Sequence, residues 1–329
     1  MTGQPGESRE IKTGMPASRG HYTTQMNVLI TGASGFVGGE VLRELHREGH
    51  AIRALVRSPE SAGARKPREM FNTELRAGDV LTPASLVTAF SGADAVIHLV
   101  GIISEIGART YENIHTRGTE NVVRAAKAAG VSRYVHMSAL GTRPKAASRY
   151  HQSKWAAEEI VRASGLAWTI FRPSIIYGPG DQFVNLFARM SRFSPVLPVM
   201  GDGLGKMQPI AVSAVAQAFV RSLSTPAAIG QTFDLCGLEP VTFREILDAI
   251  LRVAGRRRLK LRIPLPLARV QAAMLEMLFP LLLRQAPPLN RDQLLMLQED
   301  NLGAPWRAQR LFDLELVPFE QGIGSYLRS

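Results

Sequence analysis

Residues 27–38 read NVLITGASGFVG, and the order of parts in this stretch decides the fold. A short apolar strand from Asn27 to Ile30 runs into Thr31 and then into Gly32-x-x-Gly35-x-x-Gly38. An amphipathic segment opens at once, from Phe36 to about Glu48. Strand, glycine turn and helix are what is needed to hold the pyrophosphate of a dinucleotide. Gly32 permits the tight turn, Gly35 lets the backbone approach the phosphates, and Gly38 lets the helix pack close to the strand. The helix start then offers unpaired N–H groups and a positive dipole end to the anion. A glycine triplet alone is weak evidence; one that follows a strand and opens a helix has the context that gives it meaning.

Working outward, strand-like and helix-like segments alternate. Ala51 to Val56 and Glu74 to Ala77 read as strands, the second closed by Gly78-Asp79. Pro83 to Phe90 has helical spacing, with Thr82 and Pro83 placed as cap and first-turn residue. Ala95 to Val100 is a continuous apolar strand, Glu112 to Ala129 a long helix stopped by Gly130, and Tyr134 to Met137 another strand. Ser148 to Ala163 is again helical, and Ala167 to Phe171 is the sixth strand. Such alternation implies right-handed crossovers and a doubly wound parallel sheet of Rossmann type, covered on both faces. Past Arg172-Pro173 the rhythm changes and proline becomes frequent. Asp181 to Arg192 and Ser213 to Leu223 look helical, Phe233 to Leu235 can return a strand to the sheet, and Thr242-x-x-Glu245 is a capping box. We therefore expect a Rossmann domain over 26–172 and a smaller, mainly helical substrate lobe over 173–329. Residues 1–25, rich in Gly, Ser, Thr and Pro, read as a disordered extension without the apolar core of a signal peptide.

At 329 residues and 45% hydrophobic, the chain suits a globular protein with a substantial core. Its single cysteine, Cys236, excludes an internal disulfide and points to a reducing, cytoplasmic setting. It sits beside the apolar run Thr232 to Leu235 and reads as a buried small hydrophobe. No metal cluster is expected. The net charge of +11 is partly spread along the chain, with local concentrations at Arg65-Lys66-x-Arg68 and at Arg256-Arg257-Arg258-x-Lys260-x-Arg262. These patches lack interleaved aromatics and nucleic-acid-binding motifs, which disfavours nucleic acid as a partner. A solvated basic face is the default, with an anionic membrane surface or a phosphate-bearing ligand as alternatives. No run of 18 or more apolar residues is present, so no spanning helix is expected. The apolar stretch from Pro264 to Pro280, within an arginine-flanked segment 262–284, reads first as part of a buried lobe and second as peripheral contact with a membrane or a lipid-like substrate.

Tyr150 and Lys154 lie four apart on an expected helix, so both side chains leave one face. That spacing suits a proton relay. A tyrosine used as acid or base near neutral pH needs a lowered pKa, which a nearby ammonium favours. The same lysine can donate to ribose hydroxyls. Its place, on the helix after a strand ending near Ser138, counts for more than the spacing alone.

Together, several motifs resemble the short-chain dehydrogenase/reductase superfamily in its extended or atypical form. They are the glycine turn, Asp79-Val80, HLVG at 98–101, Gly118-Thr119-x-Asn121-Val122-Val123, Tyr150-x-x-x-Lys154 and RPSIIYGPGD at 172–181. The match extends over about residues 26–320 and is most similar to the group of the 39 kDa (alpha-subcomplex 9) accessory subunit of respiratory complex I and to epimerase/dehydratase-like proteins. The resemblance implies that Ser34, Phe36 and Val37 lie against the pyrophosphate beside Gly32, Gly35 and Gly38. It implies further that Asp79 and Val80 meet the adenine, that Val100 and Gly101 meet the ribose on the nicotinamide side, and that Tyr150, Lys154 and Ser138 are catalytic. Two positions depart from the family pattern: the spacing of Ser138 to Tyr150, and His115 where asparagine is frequent.

An NAD site usually carries an acidic residue at the end of the second strand. Here that strand ends Leu55-Val56-Arg57-Ser58, and Arg57 can pair with a 2′-phosphate. NADP(H) is favoured over NAD(H). The expected function is an NADP-dependent oxidoreductase, or an epimerase or dehydratase, acting on a carbonyl or secondary alcohol with Tyr150 as general acid/base. The alternative is a non-catalytic nucleotide-binding accessory subunit of a membrane assembly.

Overall fold

The structure is a computed structural model that describes residues 25–327. The extension expected over residues 1–25 lies outside the described residues except for Gln25. Six strands and five helices alternate through the first half: β1 (Asn27–Thr31), α1 (Phe36–Arg47), β2 (Ala51–Val56), α2 (Ala62–Phe71), β3 (Glu74–Ala77), α3 (Pro83–Phe90), β4 (Ala95–His98), α4 (Gly118–Ala128), β5 (Arg133–Met137), α5 (Arg149–Arg162) and β6 (Ala167–Pro173). After them come β7 (Ile176–Tyr177), α6 (Val184–Phe193), β8 (Val196–Met200), β9 (Lys206–Met207), β10 (Ile210–Ala211), α7 (Val212–Leu223) and β11 (Gln231–Leu235). The chain continues through β12 (Val241–Thr242), α8 (Phe243–Val253), β13 (Leu259–Ile263), α9 (Leu265–Leu278), α10 (Arg291–Met296), α11 (Pro305–Leu311) and α12 (Phe319–Leu327).

The main sheet has seven strands in the order β11-β6-β5-β4-β1-β2-β3, with every neighbouring pair parallel. Such a sheet must be covered on both faces, and it is. On one face Val41, Leu42 and Leu45 of α1 and Val215 and Phe219 of α7 pack on Val28, Ile30 and Ile97. On the other, Leu86 and Phe90 of α3, Val122 and Ala126 of α4 and Val161 of α5 cover Leu29, Val96 and Ile170. The strand order reverses between β1 and β4, and ligands of open parallel sheets bind at the carboxyl ends beside such a switch point.

Beyond Pro173 the chain does two things. It returns α7, β11 and part of α11 to the sheet, where Phe233, Ala308 and Phe312 join the core under β6. It also builds a lobe in which Phe243, Ile246 and Ile250 of α8 pack with Val184, Leu197 and Ile323. The Thr242/Glu245 capping box is present as expected, and Cys236 is a buried, free thiol.

Three local features differ from the sequence reading. The long helix expected over 112–129 opens with a π-helical turn at Glu112–Arg117, in which the Gly118 N–H reaches back five residues to the Asn113 carbonyl. Helix α2 occupies a stretch that the sequence reading left unassigned, Gly63 and Pro67 being poor helix formers. Residues 265–283 form one helical stretch, α9 and a terminal π-helical turn, long and apolar enough by length and composition to cross a membrane. It packs Ala268 and Ala272 against Leu294.

Candidate functional site

The glycine turn joins the carboxyl end of β1 to α1. Gly32 has φ +80°, a conformation that disfavours side chains, and a Cβ there would lie 3.2 Å from the Leu99 carbonyl carbon. The turn is thus pressed against the strand tip of β4, across the switch point. A Cβ on Gly38 would fall 2.2 Å from the Gly32 carbonyl oxygen, so only glycine lets α1 start this close to the turn. Gly35 is the N-cap and has no side chain to satisfy the first N–H groups of the helix. A backbone cradle at a helix start with unclaimed donors fits a pyrophosphate.

The other residues expected to meet a cofactor lie on the turn and just past the strand ends. Ser34 is exposed on the turn, and α2 approaches it, a Cβ on Gly63 lying 3.7 Å from the Ser34 Cβ. Phe36 and Val37 open α1. Arg57 is exposed just past β2 and makes no ion pair among the described residues. Past β3, the Asp79 carboxylate accepts from the Leu81 N–H at 2.9 Å, and the Val80 carbonyl accepts from the Asn121 amide at 2.9 Å. Past β4, Val100 and Gly101 follow the buried His98, which bridges Thr31 at 2.7 Å and Thr119 at 3.3 Å. The residues of the Gly-Thr-x-Asn motif therefore fasten α4 to the strand tips that form the cradle.

Tyr150, Lys154 and Ser138 line one cavity of about 300 Å³ with Leu99, Ile103 and Ser174. Helix α5 presents the first two. Its N-cap Ser148 accepts from the His151 N–H, and the Asp292 carboxylate accepts from the N–H groups of Arg149 and Tyr150, both at 2.8 Å. An anion at a helix N-terminus is stabilising, and this one fixes the turn that carries Tyr150. The phenol ring is held edge-on by Tyr111 and His115. The Lys154 ammonium donates to the Met137 carbonyl at 3.0 Å and would touch a Cβ on Gly101 at 3.2 Å.

The electrostatics differ from the sequence expectation. A lowered phenol pKa was expected beside a lysine, but burial pushes the Tyr150 hydroxyl up to about 12. Burial also brings the Lys154 ammonium down to about 8, with Glu158 opposing the shift. His115, at the position where asparagine is frequent, is a neutral imidazole. Its Nε2 accepts from the Ile102 N–H at 3.0 Å, so its Nδ1 carries the proton to Ser153 Oγ at 2.8 Å. Burial lowers its pKa to about 2.

Sequence reasoning missed the support beneath these residues. Glu158, fully buried one turn beyond Lys154, accepts two bonds from Arg172 at 2.8 and 2.7 Å and also binds Arg162 and the Ser138 hydroxyl. The signal was present, since Lys154-x-x-x-Glu158 continues the Tyr150-x-x-x-Lys154 stripe along one helix face. Asp292 carried no such signal. A cleft of about 610 Å³ is lined by Tyr111, Arg149, Glu276, Asn290 and Asp292. Of the second basic patch, Arg256 and Arg258 bond the α6 carbonyls of Ala188 and Ser191, and Lys260 pairs with Asp248. Most of that patch therefore has structural work within the lobe. Among the described residues, no group of histidine, cysteine and carboxylate side chains could hold a metal ion.

Comparison with known proteins agrees with this geometry. Residues 32–226, more than half of the chain, match a family described as NAD(P)H-binding. A ceramide reductase of Caulobacter vibrioides is 33% identical over 244 residues, covering 73% of this chain and 74% of that protein. The mitochondrial NADH dehydrogenase (ubiquinone) 1 alpha subcomplex subunit 9 of Arabidopsis thaliana is 27% identical over 300 residues, covering 88% of this chain and 73% of that protein. Among solved structures, an NADPH-dependent quinone oxidoreductase from Escherichia coli, complexed with NADPH, shares the fold with a TM-score of 0.71 at 21% identity, covering 92% of this chain and 100% of that one. On sequence, fold and cradle alike, the chain belongs to the NAD(P)H-binding family, of the extended or atypical short-chain dehydrogenase/reductase type.

Proposed function

We propose that this protein is an NADP(H)-dependent reductase that converts a carbonyl group to a secondary alcohol, with Tyr150 as the proton donor. One observation carries the reading. The Tyr150 hydroxyl lines a cavity shared with Lys154 and Ser138, at the strand ends beside the glycine cradle, and has no hydrogen-bond partner among the described residues. A phenol pushed up to about 12 is fully protonated at neutral pH, which is the state a proton donor needs. The reduced nicotinamide, when bound, supplies the hydride to the carbonyl carbon. Tyr150 gives its proton to the carbonyl oxygen and regains one from solvent. Lys154 donates to the ribose and stabilises the phenolate that forms, while Arg57 pairs with the 2′-phosphate. Ser138 would hold the carbonyl oxygen on releasing its hydroxyl from Glu158. The division at 172/173 then assigns the cradle to one part and the far cleft wall to the other, and the free thiol suits a cytoplasmic setting.

The second reading, a nucleotide-binding accessory subunit, is favoured by the engagement of Ser138 with the Glu158 carboxylate. Tyr150→Phe separates the two. In a panel of ketones and secondary alcohols read by nicotinamide absorbance, the variant should turn over about 10²–10⁴-fold more slowly while binding NADPH as before. A wild-type protein that binds NADPH and turns over nothing in a broad panel would select the accessory reading.

A further inference from the structure

Helix α9 wears its apolar residues on the wrong side for a helix bathed in water. The side against the body of the protein is made of alanines, Ala268 and Ala272, fully buried against Leu294. The outward stripe is Leu267, Val270, Met274, Met277 and Leu281, each more than half exposed. Only 11% of the most apolar window of the 265–283 stretch is buried. A surface helix of a globular protein normally shows the opposite pattern, and contiguous apolar exposure of this kind marks an interaction surface.

We infer that α9 docks the protein on the surface of an anionic lipid bilayer, its apolar stripe lying in the interface. The inference does not depend on the reaction proposed above. Charge selects the occupant. Arg257, Arg269 and Arg284 are exposed and make no ion pair among the described residues, so free cations stand before, within and after the apolar stretch. Basic residues around an apolar helix face are what anionic headgroups complement. The helix lies on the bilayer rather than crossing it, because both its ends are tied to the same body. Ile263 accepts from the Gly201 N–H, and Asn290 donates to the Ile103 carbonyl.

A second copy of the chain is the competing occupant, since the stripe has the three-four spacing of a coiled-coil seam. The positions flanking such a seam specify the partner by charge, and here Pro266, Gln271, Ala273, Leu278 and Pro280 carry none. The apolar exposure also spreads beyond a seam, to Leu282 and Leu283 and to Leu259 and Leu261 on the strand leading into the helix.

The cleft reaches this helix. Glu276 of α9 and Tyr111 both line it, and the Tyr111 ring meets that of Tyr150.

The test is co-sedimentation of the full chain with vesicles of phosphatidylcholine alone or mixed with phosphatidylglycerol. Light scattering without lipid runs in parallel. Wild type should sediment with the mixed vesicles and less with phosphatidylcholine alone. The variant Leu267→Gln/Val270→Gln/Met274→Gln/Met277→Gln should bind at least about tenfold more weakly. The variant Arg257→Gln/Arg269→Gln/Arg284→Gln should lose the preference for phosphatidylglycerol. Unchanged melting and NADPH titration verify that both variants are folded. Wild type that ignores mixed vesicles, or a stripe variant that binds them equally well, overturns the inference. So does a wild-type dimer that the stripe variant dissociates while neither binds lipid.

Discussion

The replacement of Gly38 by alanine tests the cradle most sharply, because the structure sets both its cost and its control. The new Cβ would lie 2.2 Å from the Gly32 oxygen, with Ala33 backbone atoms at 2.8 and 2.9 Å. Ordinary contact begins at 3.4 Å, and the neighbours are backbone that no rotamer change can move. Helix α1 must therefore back away from the turn by 1.2 Å, the difference between 2.2 and 3.4 Å. Strain of this kind in a packed core costs about 1–3 kcal/mol. A helix-start N–H placed about 1 Å farther from a phosphate oxygen no longer makes a hydrogen bond. A bond to a charged group contributes about 1.5–3 kcal/mol, so affinity should fall about tenfold to a hundredfold. Gly39 is the control. It sits on the same helix with nothing within 4 Å of its would-be Cβ. Gly39→Ala should leave binding unchanged and match or raise stability by up to about 1 kcal/mol. Urea unfolding and calorimetric titration with NADPH measure both quantities. A folded Gly38→Ala that binds NADPH at wild-type affinity, or a Gly39→Ala equally damaged, would refute the cradle geometry.

Three further outcomes are expected. Arg57→Ala should weaken NADPH binding about tenfold or more and leave NADH binding unchanged, by the loss of one charge-assisted pair; equal losses for both cofactors would remove Arg57 from the choice. Glu158→Ala leaves Arg172 and Arg162 without their buried counter-ion, and breaking such a cluster costs about 3–5 kcal/mol; the melting temperature reads this, and an unshifted value would show that the carboxylate is dispensable. Acid should unfold the protein through its buried imidazoles, since burial lowers His98 from 6.5 to about 3 and His115 to about 2. Only the unfolded chain takes up these protons below pH 6.5, so stability is full above that value and falls by about 1.4 kcal/mol per pH unit for each histidine as pH drops toward 3. Urea unfolding at a series of pH values should show His115→Asn with a slope shallower by that amount; an unchanged slope would exclude His115 from the effect.

Much of this protein is legible in its sequence because the decisive features are local. The glycine turn needs only a strand before it and a helix after it, so residues 27–38 mark the cradle by themselves, while the alternation of strands and helices as far as Phe171 marks the parallel sheet. Tyr150, Lys154 and, with hindsight, Glu158 lie one helical turn apart on a single stretch, and their common face follows from the helical period alone. The capping box at Thr242 is equally local. Contacts that join distant parts of the chain were not legible. Asp292 reaches α5 from 142 residues away to hold the Tyr150 N–H, and nothing in its neighbourhood announces this. Helix α2 forms despite Gly63 and Pro67, and of its described side chains only Phe71 packs on the core, beside His46 of α1. The phenol pKa went the other way for a related reason: spacing places a lysine near Tyr150, but desolvation depends on everything that encloses the ring, and only the folded chain supplies Tyr111, His115 and His151 around it. The same holds for α9. Its sequence records an apolar helix, whereas its side-chain directions, with alanines inward and Leu267, Met274 and Met277 outward, are decided by what the rest of the fold leaves uncovered.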